Sequence, residues 1–151
     1  MKVIFLDFDG VLNSKKYVIG CGEYGVIIDP TRMILLKQIV DETGANIVLS
    51  TSWREHWEKN SSECNDTGKQ INAIFDECGL KIFDKTPKLH LRRELEIQDW
   101  LNKHPEIEKF VVLDDMFLGA EFLEGHFVKT SNYFNGLDET DVKKAIEILN
   151  S

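Results

Sequence analysis

At 151 residues, 42% hydrophobic and 29% charged, the chain has the length and composition of one globular domain, 1–151, with a sizeable core. A net charge of −8 excludes a generally basic nucleic-acid or membrane-surface binder, while leaving room for a local basic patch. No apolar run approaches the roughly 18 residues of a membrane span, and three widely spaced cysteines, Cys21, Cys64 and Cys78, form neither a disulfide framework nor a zinc motif.

Met1-Lys2 leads at once into a strand over residues 2–7, with no signal-peptide pattern, so the compartment is read as reducing and cytoplasmic. The strand is an apolar run that ends on Asp7, followed by Phe8, Asp9 and Gly10. Phe8 is expected to turn the other way, so that Asp7 and Asp9 point toward one small site. Residues 14–28 hold two short β-like runs, Tyr17-Val18-Ile19 and Val26-Ile27-Ile28, around Gly20, Gly22 and Gly25, a pattern that predicts a flexible hairpin or flap.

Asp29-Pro30 predicts a helix start, with Asp29 as N-cap and Pro30 at the first helical position. Met33, Leu36 and Val40, widened by Leu35 and Ile39, give the helix an apolar face, and Gly44 closes it. A second buried strand covers 46–49 and ends in Ser50-Thr51-Ser52; a polar helical stretch with Trp53 and Trp57 follows. Residues 59–67 read as loop, 68–78 as a helix ended by Gly79, and 80–83 as a short strand. After Pro87 comes a helix at about 91–103, then a strand at 110–113 ending in Asp114-Asp115, and another at Phe127-Val128. Asp138 caps a last helix to about Leu149, with Asp141 completing a capping box.

Strands that alternate with helices, most of them unbroken apolar runs, imply a mostly parallel sheet covered on both faces. In such a sheet the ends of the three pointed strands, at Asp7/Asp9, Ser50–Ser52 and Asp114/Asp115, lie on one edge, where open α/β sheets bind ligands. Two acids held close repel unless a cation offsets them, and oxygen-only ligation points to Mg²⁺ held by Asp7, Asp9, Asp114 and Asp115. Asp7 has the chemistry to attack phosphorus and form an aspartyl phosphate, while Asp9 protonates the leaving oxygen and then activates water.

Asp-Phe-Asp-Gly-Val at 7–11, strand-Ser-Thr-Ser at 47–52 and strand-Asp-Asp at 110–115 resemble the first, second and fourth motifs of the haloacid dehalogenase-like (HAD) phosphohydrolases, in that family's order. Leu-Ser-Thr-Ser-Trp-Arg at 49–54, Arg93…Glu96-Ile97…Trp100-Leu101 and Gly136-Leu137 are similar to the small HAD domains of the Swiss-army-knife RNA-repair type. The resemblance implies a three-layer α/β/α Rossmann-like core, capless or with a minimal flap, and a Mg²⁺-dependent phosphomonoester hydrolase. It implies that the Asp9 carbonyl joins the metal's ligands, and that Thr51 gives its hydroxyl and Ser52 its backbone N–H to the phosphate. Ser50 is the competing register, and Gly10 is counted with the substrate-binding positions. The third motif, a lone cation, fits Arg93 best, with Lys88 and Arg92 as rivals. The expected partner is a phosphorylated small molecule or nucleic-acid end. A receiver-like phosphoacceptor or phosphate-binding module is the alternative. Dehalogenation is disfavoured because it needs neither Asp9 nor a metal.

Overall fold

The computed structural model describes residues 1–21, 25–90 and 92–151. Five strands form one sheet that is parallel throughout: β1 (Lys2–Leu6), β2 (Asn46–Leu49), β3 (Ile82–Lys85), β4 (Lys109–Asp114) and β5 (Phe127–Lys129). Their order is β3-β2-β1-β4-β5. The chain therefore steps outward from β1 on one side and returns across it to β4 on the other. The crevice where strand order reverses lies between β1 and β4, at their carboxyl ends.

Side chains alternate across the sheet. Ile4 and Leu6 join Ile47, Leu49, Val111 and Leu113 in one apolar layer. That layer is covered by α2 (Pro30–Thr43), α3 (Asp66–Glu77) and α5 (Glu139–Asn150), through residues such as Leu36, Phe75 and Ala145. Val3, Phe5, Val48 and Val112 face the opposite layer, covered by α4 (Arg93–Asn102) through Ile97 and Trp100, and by Leu118 and Leu123. Helices on both faces of a parallel sheet make the fold a three-layer, Rossmann-like α/β/α architecture.

The capping expectations hold. Asp29 accepts from the Thr31 N–H at 2.9 Å, Gly44 adopts φ 71° and donates to Val40, and Asp138 with Asp141 forms a capping box.

Residues 15–21 differ from the sequence expectation: they form a helix, α1 (Lys15–Cys21), rather than the first arm of a hairpin. Ser14 caps it by accepting from the Tyr17 N–H, and the Lys15 and Lys16 N–H groups donate to the carbonyls of Asn132 and Tyr133. These anchors outweigh the β propensity of Tyr17-Val18-Ile19. Val26–Ile28 is irregular, and Gly22 of the expected flap lies outside the described residues, as does Leu91 of the expected fourth helix start.

Three smaller shifts follow. The strand expected at 80–83 runs over Ile82–Lys85, because Leu80 is buried in the core before the strand begins. The loop expected at 59–67 contains a 3₁₀ turn, Ser61–Glu63, and yields its end to α3, which Asn65 caps and which starts at Asp66, two residues before Gly68. Between β1 and α2 the one helix is seven residues long, and between β2 and β3 the α-helix is twelve, so neither segment holds an inserted domain among the described residues.

Candidate active site

Register brings the first two acids together. Leu6 pairs with Leu113, and the Asp7 N–H donates to the Leu113 carbonyl at 3.1 Å, so Asp7 and Asp114 stand on neighbouring strand ends. Phe8 turns into the core beside Phe75, ring centroids 6.0 Å apart. Asp7, Asp114 and Asp115 offer carboxylate oxygens that all lie within 4.8 Å of one another. Asp7 and Asp114 are buried and Asp115 is half-buried.

The first turn of α4 delivers the cation. Arg93 Nη1 lies 3.1 Å from Asp7 Oδ2 and 2.7 Å from Asp114 Oδ2. The two rivals are engaged elsewhere: Arg92 pairs with Glu94 at 3.3 Å, and Lys88 with Glu55 at 2.9 Å. Each remaining carboxylate oxygen of the pair has a backbone donor, Phe8 N–H to Asp7 Oδ1 and Met116 N–H to Asp114 Oδ1, both at 2.9 Å.

Burial pushes the Asp7 carboxyl up to about 8; Arg93 opposes this, and the Asp114 and Asp115 charges add to it. Burial likewise raises Asp114 against the pull of Arg93. Burial works against the Arg93 charge, but Asp7 and Asp114 outweigh it and hold the guanidinium above its ordinary range. One cation thus faces three acids, and the donors are hard oxygens. That set fits a hard divalent ion, which would favour the ionised form of all three.

Asp9 stands apart. Its side chain is exposed and does not join the three-acid cluster. Oδ2 accepts from Trp53 Nε1 at 3.1 Å and Oδ1 from Asn13 Nδ2 at 3.2 Å. Gly10 follows at φ 81°, and a Cβ there would sit 2.5 Å from Asp115 Cγ, so only glycine lets this turn approach the acid. The Gly10 carbonyl accepts from the Thr130 hydroxyl, and its N–H donates to Asn13 Oδ1.

At the end of β2 the two candidate hydroxyls differ. Thr51 Oγ1 is buried and accepts from the Trp53 N–H at 3.3 Å, capping the 3₁₀ turn Ser52–His56. Ser50 Oγ is buried with no hydrogen-bond partner among the described residues. Ser50 also shares its pleat parity with Val48, as Asp7 does with Phe5 and Asp114 with Val112, and these three apolar residues all face α4. Ser52 is exposed.

Ser52 opens onto a cleft of ≈ 440 Å³ that also borders Arg54, Lys88, His90, Arg92 and Arg93. Among the residues that sequence reasoning did not assign to the site, Asn132 donates to Asp115, while Trp53 and Asn13 hold Asp9. The Ser-Trp step after β2 and the Asn four residues after Asp9 were visible in the chain, but nothing local linked them to that acid.

A family model described as the HAD domain in Swiss Army Knife RNA repair proteins matches residues 3–142. No curated protein and no solved structure matches the chain.

Proposed function

Because the chain belongs to the family of HAD domains found in Swiss Army Knife RNA repair proteins, we propose that it is a Mg²⁺-dependent phosphomonoester hydrolase working through an aspartyl phosphate on Asp7. The observation that carries this reading is the meeting of Asp7, Asp114 and Asp115 with Arg93 at the carboxyl ends of β1 and β4.

Mg²⁺ bound by Asp7, Asp114, Asp115 and the Asp9 carbonyl would neutralise charge on the phosphoryl oxygens. Arg93 orients the Asp7 carboxylate and adds positive charge where the phosphoryl group sits. Asp7 attacks phosphorus; the leaving oxygen takes a proton from Asp9, which later accepts one from the water that frees the enzyme. The hydroxyl donor at the end of β2 is better matched by Ser50 than by Thr51, since Ser50 Oγ lacks a partner among the described residues and Thr51 Oγ1 already serves as a cap.

The leaving group is read as a nucleic-acid end or nucleotide. The cleft is lined by Arg54, Lys88, Arg92 and Arg93 against Glu55 and Glu96, so cations outnumber acids there on a chain of net charge −8. The family's description points the same way.

The test is phosphate release with and without Mg²⁺ from p-nitrophenyl phosphate, nucleotides, sugar phosphates and 5′- and 3′-phosphorylated oligonucleotides, with Asp7→Asn as control. Metal-dependent release that Asp7→Asn abolishes is expected, greatest on oligonucleotides. Full activity in Asp7→Asn sinks the reading. A long-lived phosphoprotein formed from acetyl phosphate, without turnover, would instead favour a phosphoacceptor.

A further inference from the structure

We propose that Trp53 is a positioning residue for Asp9: its indole N–H, together with the Asn13 amide, holds the acid–base carboxylate away from the metal-binding acids and beside the leaving-group cleft. The inference rests on the phosphatase reading above and assigns a role that the motif residues alone do not supply.

Asp9 has little else to hold it. Its side chain is exposed and precedes a glycine, and three acids that attract a cation lie close by. A carboxylate free to rotate would spend its time in water or be drawn to the same cation. Proton transfer needs it within hydrogen-bond reach of the leaving oxygen. Trp53 Nε1 donates to Oδ2 at 3.1 Å and Asn13 Nδ2 to Oδ1 at 3.2 Å, so both oxygens are engaged while each keeps a second lone pair.

Both donors are themselves anchored. Asn13 is buried; its Nδ2 also donates to the Ile27 carbonyl at 2.7 Å and its Oδ1 accepts from the Gly10 N–H at 3.1 Å. Those partners define which way its amide points. Trp53 is half-buried against the apolar core, and its backbone N–H is tied to Thr51 Oγ1. It sits on the same 3₁₀ turn as Ser52, Arg54 and Glu55, which border the cleft. The indole therefore brings Asp9 toward the wall along which a leaving group departs.

The proton path balances without another reactant. As the Asp7–phosphorus bond forms and the phosphorus–oxygen bond to the leaving group breaks, the proton on Asp9 passes to that oxygen and an alcohol leaves. Water then attacks phosphorus, its proton returns to Asp9, and the Asp7–phosphorus bond breaks to release phosphate. Trp53 keeps its own hydrogen throughout.

Trp53→Phe keeps the ring and removes only the donor, and leaving-group dependence separates positioning from packing. General acid assistance is worth ~10²–10⁴-fold and matters most for poor leaving groups. Relative to the wild type, Trp53→Phe is expected to lose about tenfold or more in kcat/KM, which reports the step that expels the leaving group, on an alkyl or nucleoside monophosphate, and under about threefold on p-nitrophenyl phosphate. Equal losses on both esters, or no loss on either, overturn the proposal.

A second readout needs no turnover. The Trp53 indole N–H resonance, assigned by its absence from Trp53→Phe, should move upfield in Asp9→Ala; an unmoved resonance also overturns the proposal. A wild type silent on every ester removes the phosphatase reading, and this role with it. The resonance would still report the contact, so the two failures are distinguishable.

Discussion

Arg93 Nη1 sits 3.1 Å from the Asp7 carboxylate, and the same nitrogen reaches Asp114 at 2.7 Å. One guanidinium therefore braces Asp7 against Asp114 from within the protein. Arg93→Met should lower kcat/KM by about 10²-fold or more, because charge stabilisation at the reacting group is lost. Arg93→Lys should recover only part of that, since a point charge on a flexible stem does not reproduce the placement of a guanidinium. Phosphate release at saturating Mg²⁺ checks both, and near-normal activity in Arg93→Met would return the third motif to Lys88 or Arg92.

The raised Asp7 carboxyl carries a pH dependence. Its folded value, about 8, stands above the ordinary value of 3.8 because of burial. The unfolded chain therefore gives up this proton first. In metal-free protein the resulting stabilisation is complete below about pH 4 and is lost as pH rises toward 8. Asp7→Asn does not titrate, so in EDTA its Tm advantage over the wild type should widen from pH 4 to 8. Mg²⁺ must displace the same proton, so wild-type affinity should climb through that window, with proton release seen by calorimetry in buffers of different ionisation enthalpy. A pH-independent affinity between 6 and 8 contradicts the assignment.

Ser50 and Thr51 separate by what each costs. Ser50→Ala removes a buried hydroxyl that has no partner among the described residues, so stability should hold or rise while kcat falls about tenfold or more. Thr51→Ala removes the cap of the 3₁₀ turn and should cost about 1 kcal/mol, with a smaller effect on kcat. Thermal melts beside phosphate-release assays decide between them; a kcat loss confined to Thr51→Ala restores the other register.

What could be read in the chain follows from range. Asp7 and Asp114 end apolar runs, so strand periodicity alone places them on one sheet edge. The caps at Asp29 and Asp138 act within three residues and were equally legible. Arg93 was marked by its place early in the helix before β4 and by resemblance, but one arginine in a helix looks like any solvated one, and only the return across the sheet to β4 separates it from Lys88 and Arg92 by bringing it to Asp7. The α1 misreading has the same origin: the carbonyls of Asn132 and Tyr133 that satisfy its first N–H groups lie near the other end of the chain. The contacts of Trp53 with Asp9 and of Asn132 with Asp115 likewise exist only once loops from separate strand ends meet.

Gly10 links the first motif to the fourth. A methyl at this position would overlap Asp115, at φ 81°, a backbone conformation that alanine adopts at a cost. Gly10→Ala should displace Asp115 and weaken Mg²⁺ binding about tenfold or more, an effect that calorimetry reads directly. Unchanged affinity would show that Asp115 contributes little to the ion's ligands.

The last prediction concerns the wall between the two halves of the site. Arg54 Nη2 meets Glu96 Oε1 at 2.8 Å, and both residues are buried. Arg54 also donates to the Thr51 carbonyl at 3.0 Å, and Glu96 Oε2 accepts from the Leu89 N–H at 2.7 Å. The pair thus ties the 3₁₀ turn that bears Ser52 and Trp53 to the helix that bears Arg93. Glu96→Leu strands a buried guanidinium and should cost about 3–5 kcal/mol. Arg54→Met combined with Glu96→Leu removes both charges and should recover most of that stability, because apolar replacement of a buried pair is often neutral. It does not restore the ties to Thr51 and Leu89, so KM for an oligonucleotide substrate should stay raised in the double variant. Denaturant melts of the single and double variants measure the coupling directly. A double variant as unstable as Glu96→Leu alone would show that the pair's hydrogen bonds to the backbone, rather than its charges, hold the wall.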